Sequence, residues 1–136
     1  MLAQLKTNFY NFLIELGFNA TDNAVYEEKF PWLMVRTNNY TVAHAMDTKI
    51  STATLVVDIF SNYPGEKEII EIVEKIEENL QDFESKHPEI LYTYQRAFKI
   101  LDDKNTGIVR KHGVIAYEFL MGGAYIIEEG GSDEDI

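Results

Sequence analysis

Thr52-Ala53-Thr54-Leu55-Val56-Val57-Asp58-Ile59-Phe60-Ser61 decides the fold. β-Branched, aromatic and aliphatic residues fill it, which favours a strand. Leu55, Val57 and Ile59 fall on one face, and Val56, Asp58 and Phe60 on the other. A strand that is apolar on both faces belongs inside a sheet, not at its edge. Asp58 is the polar interruption, near the strand's end. It is expected to pair with a neighbouring base or cap a loop, in preference to serving as a buried acid in a pocket.

Downstream, Pro64-Gly65 breaks the chain and a helix follows. Glu66 and Glu68 fall in its first turn, where carboxylates complement the macrodipole. Ile69, Val73, Ile76, Leu80 and Phe83 form one apolar stripe, so a single long amphipathic helix is expected up to His87-Pro88. Upstream, Leu2, Leu5, Phe9, Phe12, Leu13 and Leu16 recur at helical spacing, and Gly17 is a natural stop. A short strand is expected over Trp32–Arg36. Asn38-Asn39 suggests a hairpin turn, Tyr40 to Ala45 a returning strand, and Met46 to Ser51 a polar connection.

The last third alternates as β structure. Tyr92, Tyr94, Phe98 and Ile100 precede a turn at 102–107, and a long strand runs from Ile108 to Met121. Gly113, in its middle, implies a bulge or a close backbone approach. Ala124 to Ile127 is expected to add a short last strand. The fold class is α+β: a mostly antiparallel or mixed sheet with an N-terminal helix and a long central amphipathic helix packed on one face. Residues 1–128 form a single α+β domain, and 129–136 are expected to be a flexible acidic tail.

The chain has 136 residues, with 23 Asp and Glu against 12 Lys and Arg, a net charge of −11. Such a balance argues against free nucleic acid and anionic membrane surfaces as ligands. The acid is concentrated in Glu66–Lys86 and in Glu128–Ile136. No cysteine is present, which excludes disulfides, zinc–thiolate sites and thiol catalysis. The N-terminal residues lack the pattern of a signal peptide, and no apolar run nears the roughly 20 residues that span a bilayer. A cytoplasmic, soluble product is the expectation.

His44, His87 and His112 show no metal-ligand spacing. They are expected to be strand or helix-exit residues, and no metal or cofactor is expected. No phosphate-cradling loop or nucleophile elbow occurs. The carboxylates of the central helix are expected to be a solvated face. Tyr92, Tyr94, Phe98, Tyr117, Phe119 and Tyr125 could stack single-stranded bases, but the net charge disfavours it. Arg96, Lys99, Arg110 and Lys111 could instead meet the acidic helix of a neighbouring subunit, a basis for a head-to-tail ring.

Residues 54–68, Thr-Leu-Val-Val-Asp-Ile-Phe-Ser-Asn-Tyr-Pro-Gly-Glu-Lys-Glu, with the helix that follows, resemble the tail terminator and head–tail joining proteins of long-tailed bacteriophages (tail completion or minor capsid proteins). The closest local match covers about residues 54–80, and the order of elements is similar over nearly the whole chain. The resemblance implies a structural virion protein, not an enzyme. It implies a ring, expected to be a hexamer and allowed to be monomeric before assembly, that ends the tail tube and joins it to the capsid connector. Tail-tube and connector proteins would be its partners. It would sit in the host bacterial cytoplasm during assembly and in the virion afterwards, with no sequence-specific nucleic-acid binding. Candidate interface residues are Asn38, Asn39 and Tyr40 at the expected turn, Asp47 and Lys49 in the expected connection, the bases Arg96, Lys99, Arg110 and Lys111, and the acids Glu74, Glu77 and Glu78. Two other readings compete. One is a small acidic immunity-type or inhibitor protein that masks a basic partner surface. The other is an enzyme using Asp58 and a neighbouring strand histidine.

Overall fold

The computed structural model describes residues 2–21, 29–45, 48–102 and 111–122. In chain order these form α1 (Leu2–Glu15), β1 (Ala20–Thr21), β2 (Trp32–Ala45), β3 (Thr48–Ser61), α2 (Lys67–Glu78), α3 (Leu80–Lys86), β4 (Ile90–Asp102) and β5 (Lys111–Gly122). The five strands make one mixed sheet in the order β1-β2-β3-β5-β4. β1 runs parallel to β2, and every other pairing is antiparallel. β3 lies between β2 and β5, the interior position that its doubly apolar sequence predicts.

α1 ends as its sequence requires. Gly17 takes φ 97°, the Gly17 N–H donates to the Ile14 carbonyl at 2.9 Å, and the Phe18 N–H donates to the Leu13 carbonyl at 3.2 Å. That is the Schellman arrangement, which a left-handed glycine permits. Leu5, Phe9, Phe12 and Leu13 are buried on the sheet side. Phe9 is the hub: its ring lies 5.4 Å from Phe83, 5.5 Å from Phe119 and 5.9 Å from Tyr117. Edge and tilted contacts of this kind add to the area that the rings bury.

All three helices cover the same face of the sheet. The core joins their apolar stripes to Leu33 and Val35 of β2, Leu55, Val57 and Ile59 of β3, and Ile115, Tyr117, Phe119 and Met121 of β5. Gly113 is a close approach, as its place in the strand suggests. A Cβ there would lie 2.6 Å from Cγ2 of Ile69, so the missing side chain lets α2 settle on β5.

Three expectations need correction. The long central helix is two shorter ones, α2 and α3, divided at Asn79. The Asn79 side chain donates to the Lys75 carbonyl at 2.8 Å, competing with the helix ladder. The apolar stripe runs on through Leu80 and Phe83, so periodicity alone does not reveal the break. Asn38-Asn39 is not a hairpin turn. β2 continues through it with a register shift between Thr37 and Asn39, a bulge that uses the same asparagine tolerance as a turn. Finally, Thr48 to Ser51 is not part of a connection: Ala45 stands opposite Thr48 and β3 begins there, while Met46 and Asp47 lie outside the described residues. The expected turn at 102–107 beyond Asp102, the short last strand at 124–127 and the acidic tail lie outside the described residues.

Candidate functional site

Alternation along β3 and β5 sends every second side chain to the face that no described helix covers. There Trp32, Phe60 and His112 stand in register across β2, β3 and β5. Their rings stack: Trp32 on Phe60 at 4.2 Å between centroids, and Phe60 on His112 at 4.5 Å. Because their faces are spent on one another, these rings form a wall and not a platform for bases.

Asp58 sits in the next row, between Met34 and Val114. The Arg36 Nε–H donates to its Oδ2 at 2.6 Å, and His112 Nε2 lies 2.9 Å from its Oδ1. The Asp58 side chain is 3% exposed, Arg36 47% and His112 27%. Burial pushes the Asp58 pKa up, but hydrogen bonds from His112 and Arg36 and the Arg36 charge outweigh it and hold the carboxyl below its ordinary range. The hydrogen bond to Asp58 likewise raises the Arg36 pKa. An ionised carboxylate only accepts, so Nε2 of His112 carries the proton that faces it. Asp58 pairs with bases as its residue pattern predicts, and it also has a strand histidine beside it. A carboxylate held this strongly is a fixed anion that orients Arg36 and His112, and it is a poor proton donor near neutral pH.

Further along the open face, Arg96 Nη1 meets Glu118 Oε1 at 2.9 Å. Lys99 lies in the Asp58 row, opposite Val114, exposed and without an ion pair among the described residues. Lys111 Nζ pairs with Asp102 Oδ1 at 2.5 Å. Of the expected bases, Lys99 thus keeps its charge free, while Arg96 and Lys111 are already engaged. Arg36 was missed by the sequence reading. Nothing in Trp-Leu-Met-Val-Arg marks it until the β2–β3 register puts it beside Asp58.

The expected acids stand on the opposite layer. Glu74, Glu77 and Glu78 are exposed on α2 and form no ion pair among the described residues. Partial burial and the neighbouring Glu74 raise the Glu77 pKa. Asn38 and Asn39 are exposed at the β2 bulge, Tyr40 packs against the core, and Lys49 faces His44 near the hairpin end. Asp47 and Arg110 lie outside the described residues. Thus the structure brings together Asp58, His112 and Arg36, and it separates the acidic helix from Lys99 by the thickness of the domain.

A concavity of about 270 Å³ lies between α1 and α3, lined by Asn8, Asn11, Glu15, Asp82, Lys86 and His87 among others. Asn8 Nδ2 lies 3.3 Å from His87 Nδ1 there. No group of histidine and carboxylate side chains among the described residues is placed to hold a metal ion. No helix of the described residues is long and apolar enough to cross a membrane. No protein-family model matches the chain, and no curated protein matches it.

Proposed function

We propose that this chain is a structural virion protein of a phage or prophage, which assembles as a ring at the head–tail interface, ends the tail tube and joins it to the capsid connector. The observation that carries the reading is the one-sided build of the domain. Its helices cover one sheet face, while the other presents half-buried apolar side chains (Met34, Val114, Ala116 and Leu120) beside the cationic Arg36 and Lys99. Such a face suits burial against another protein. The order of a leading helix, a long hairpin, the α2 region and a closing strand pair supports the resemblance of residues 54–80 to tail terminator proteins. Its partners are further copies of itself and the tail-tube and connector proteins, and the reading requires no catalytic group or cofactor.

The test is reconstitution. Mixed with tail-tube and connector proteins, the chain should give rings by electron microscopy, with the tube capped at its head-proximal end. Tubes that grow to the same uncontrolled length with and without the protein would sink the reading.

One observation favours a second reading, an acidic protein that masks a basic partner surface: the carboxylates Glu74, Glu77 and Glu78 lack ion pairs among the described residues. Copurification with a basic protein, released by salt, would favour it over the ring.

A further inference from the structure

The molecule carries surfaces of opposite sign on opposite layers, and on the cationic one Arg36 is already paired with Asp58. On the open sheet face, Lys99 is exposed with no ion pair among the described residues, and Arg36 keeps about half of its side chain in solvent. They lie on β4 and β2, three strand spacings apart, about 14 Å. Apolar Met34 and Val114 stand in the Lys99 row, on either side of Asp58. On the helical layer, α2 turns Glu74, Glu77 and Glu78 outward, next to Ile70, which is 38% exposed. Lys67 is engaged with Glu71 at 4.0 Å, and Lys75 lies over the Phe18 ring at 5.4 Å. Among the described residues the like-charged stripe therefore has no cation of its own. From Ile70 to Glu78 α2 rises about 12 Å, close to the span between Arg36 and Lys99.

We propose that the open sheet face of one copy of this chain receives the outward acidic face of α2 from a second copy, with Lys99 and Arg36 meeting Glu74, Glu77 and Glu78, and Ile70 covering Met34 and Val114. The proposal rests on the self-assembly reading above and names its contact. Since the two surfaces lie on opposite layers of one domain, the contact is heterologous. Each added copy spends one of its two surfaces and leaves the other free, so the contact propagates around a ring instead of closing as a twofold dimer. The pairs are partly exposed, so they direct encounter and orientation, and salt weakens them.

The absence of cysteine makes the test direct. Lys99→Cys and Glu74→Cys proteins, mixed and oxidised, should form a mixed disulfide dimer at least tenfold more abundantly than Lys99→Cys mixed with Ala3→Cys. Ala3 is exposed on α1, away from the proposed contact. Salt at 0.5 M should reduce the yield severalfold. A Lys99→Glu protein should assemble at higher concentration than the parent, and a Lys99→Glu/Glu74→Lys protein should recover. Equal trapping with the Ala3→Cys control, or a double variant no better than the single ones, overturns the proposed contact. If rings still form on tail tubes in that case, the contact alone is wrong. If the trapped dimer forms and no rings ever do, the contact stands and the tail-terminator reading falls.

Discussion

The two faces of this sheet come from the same strands, and in β5 they alternate residue by residue. Ile115, Tyr117 and Phe119 are fully buried under the helices, while Val114, Ala116, Glu118 and Leu120, which alternate with them, are only partly buried. The covered face is held by rings and aliphatics that interlock. The open face is held by cross-strand pairs: the Trp32–Phe60–His112 stack, Arg36–Asp58 and Arg96–Glu118. One face supplies stability, and the other fixes its side chains on one another with no layer above them among the described residues. That division is what the proposed assembly requires: a stable monomer and a surface prepared for a partner.

Truncation separates the faces most strongly. Phe9→Ala removes the ring at the hub of the covered face and should cost about 4 kcal/mol in chemical denaturation. Leu101→Ala, on the open face and 43% exposed, should cost less than about 0.5 kcal/mol. Similar losses for the two would erase the distinction.

Asp58 is the exception on the open face, because it is a buried charge. Asp58→Ala should cost about 2 to 3 kcal/mol, less than a fully buried pair since Arg36 regains water easily. The sign with pH follows from the depressed carboxyl. Its contribution is present above the unfolded value near 3.9 and is lost as pH falls through the folded value. Asp58→Asn should therefore flatten the acid limb of the stability curve below about pH 4. An unchanged acid limb would mean that the Arg36 and His112 contacts do not hold in solution.

The glycines of β5 give a smaller contrast. Gly113→Ala drives a Cβ into the buried Ile69 and should cost about 1 to 2 kcal/mol. Gly122→Ala meets the tip of Leu91, which is 59% exposed and can swing aside, so its cost should stay within about 0.5 kcal/mol. Smallest of all is Lys99→Glu, expected to leave monomer stability unchanged within about 0.5 kcal/mol while weakening self-association.

The covered face was the more legible in the sequence. Leu5, Phe9, Phe12 and Leu13 announce α1 by spacing, Gly17 announces its end, and Leu55, Val57 and Ile59 announce the central strand. Gly113 pointed to a close approach, and Ile69 is what approaches. These features depend on period and local sterics, which a sequence carries directly. The break at Asn79 and the bulge at Asn38 were not legible. An asparagine that competes with a helix ladder and one that bulges a strand look the same as one in a turn. The open-face site was half legible. Asp58 stood out as a charge in an apolar strand, but its partners follow from register: Arg36 is 22 residues away and His112 is 54. The acids of α2 were visible as a charge run, while their isolation from Lys99 follows only from the layering of the fold.

Light scattering on the purified chain, alone and with tail-tube and connector proteins, tests the central claim that the open face is an assembly surface. The expected result is a discrete species at a fixed multiple of the 15.7 kDa chain, shifted to higher concentration by salt and by Lys99→Glu. A mass of one chain at every concentration, with and without those partners, would contradict it.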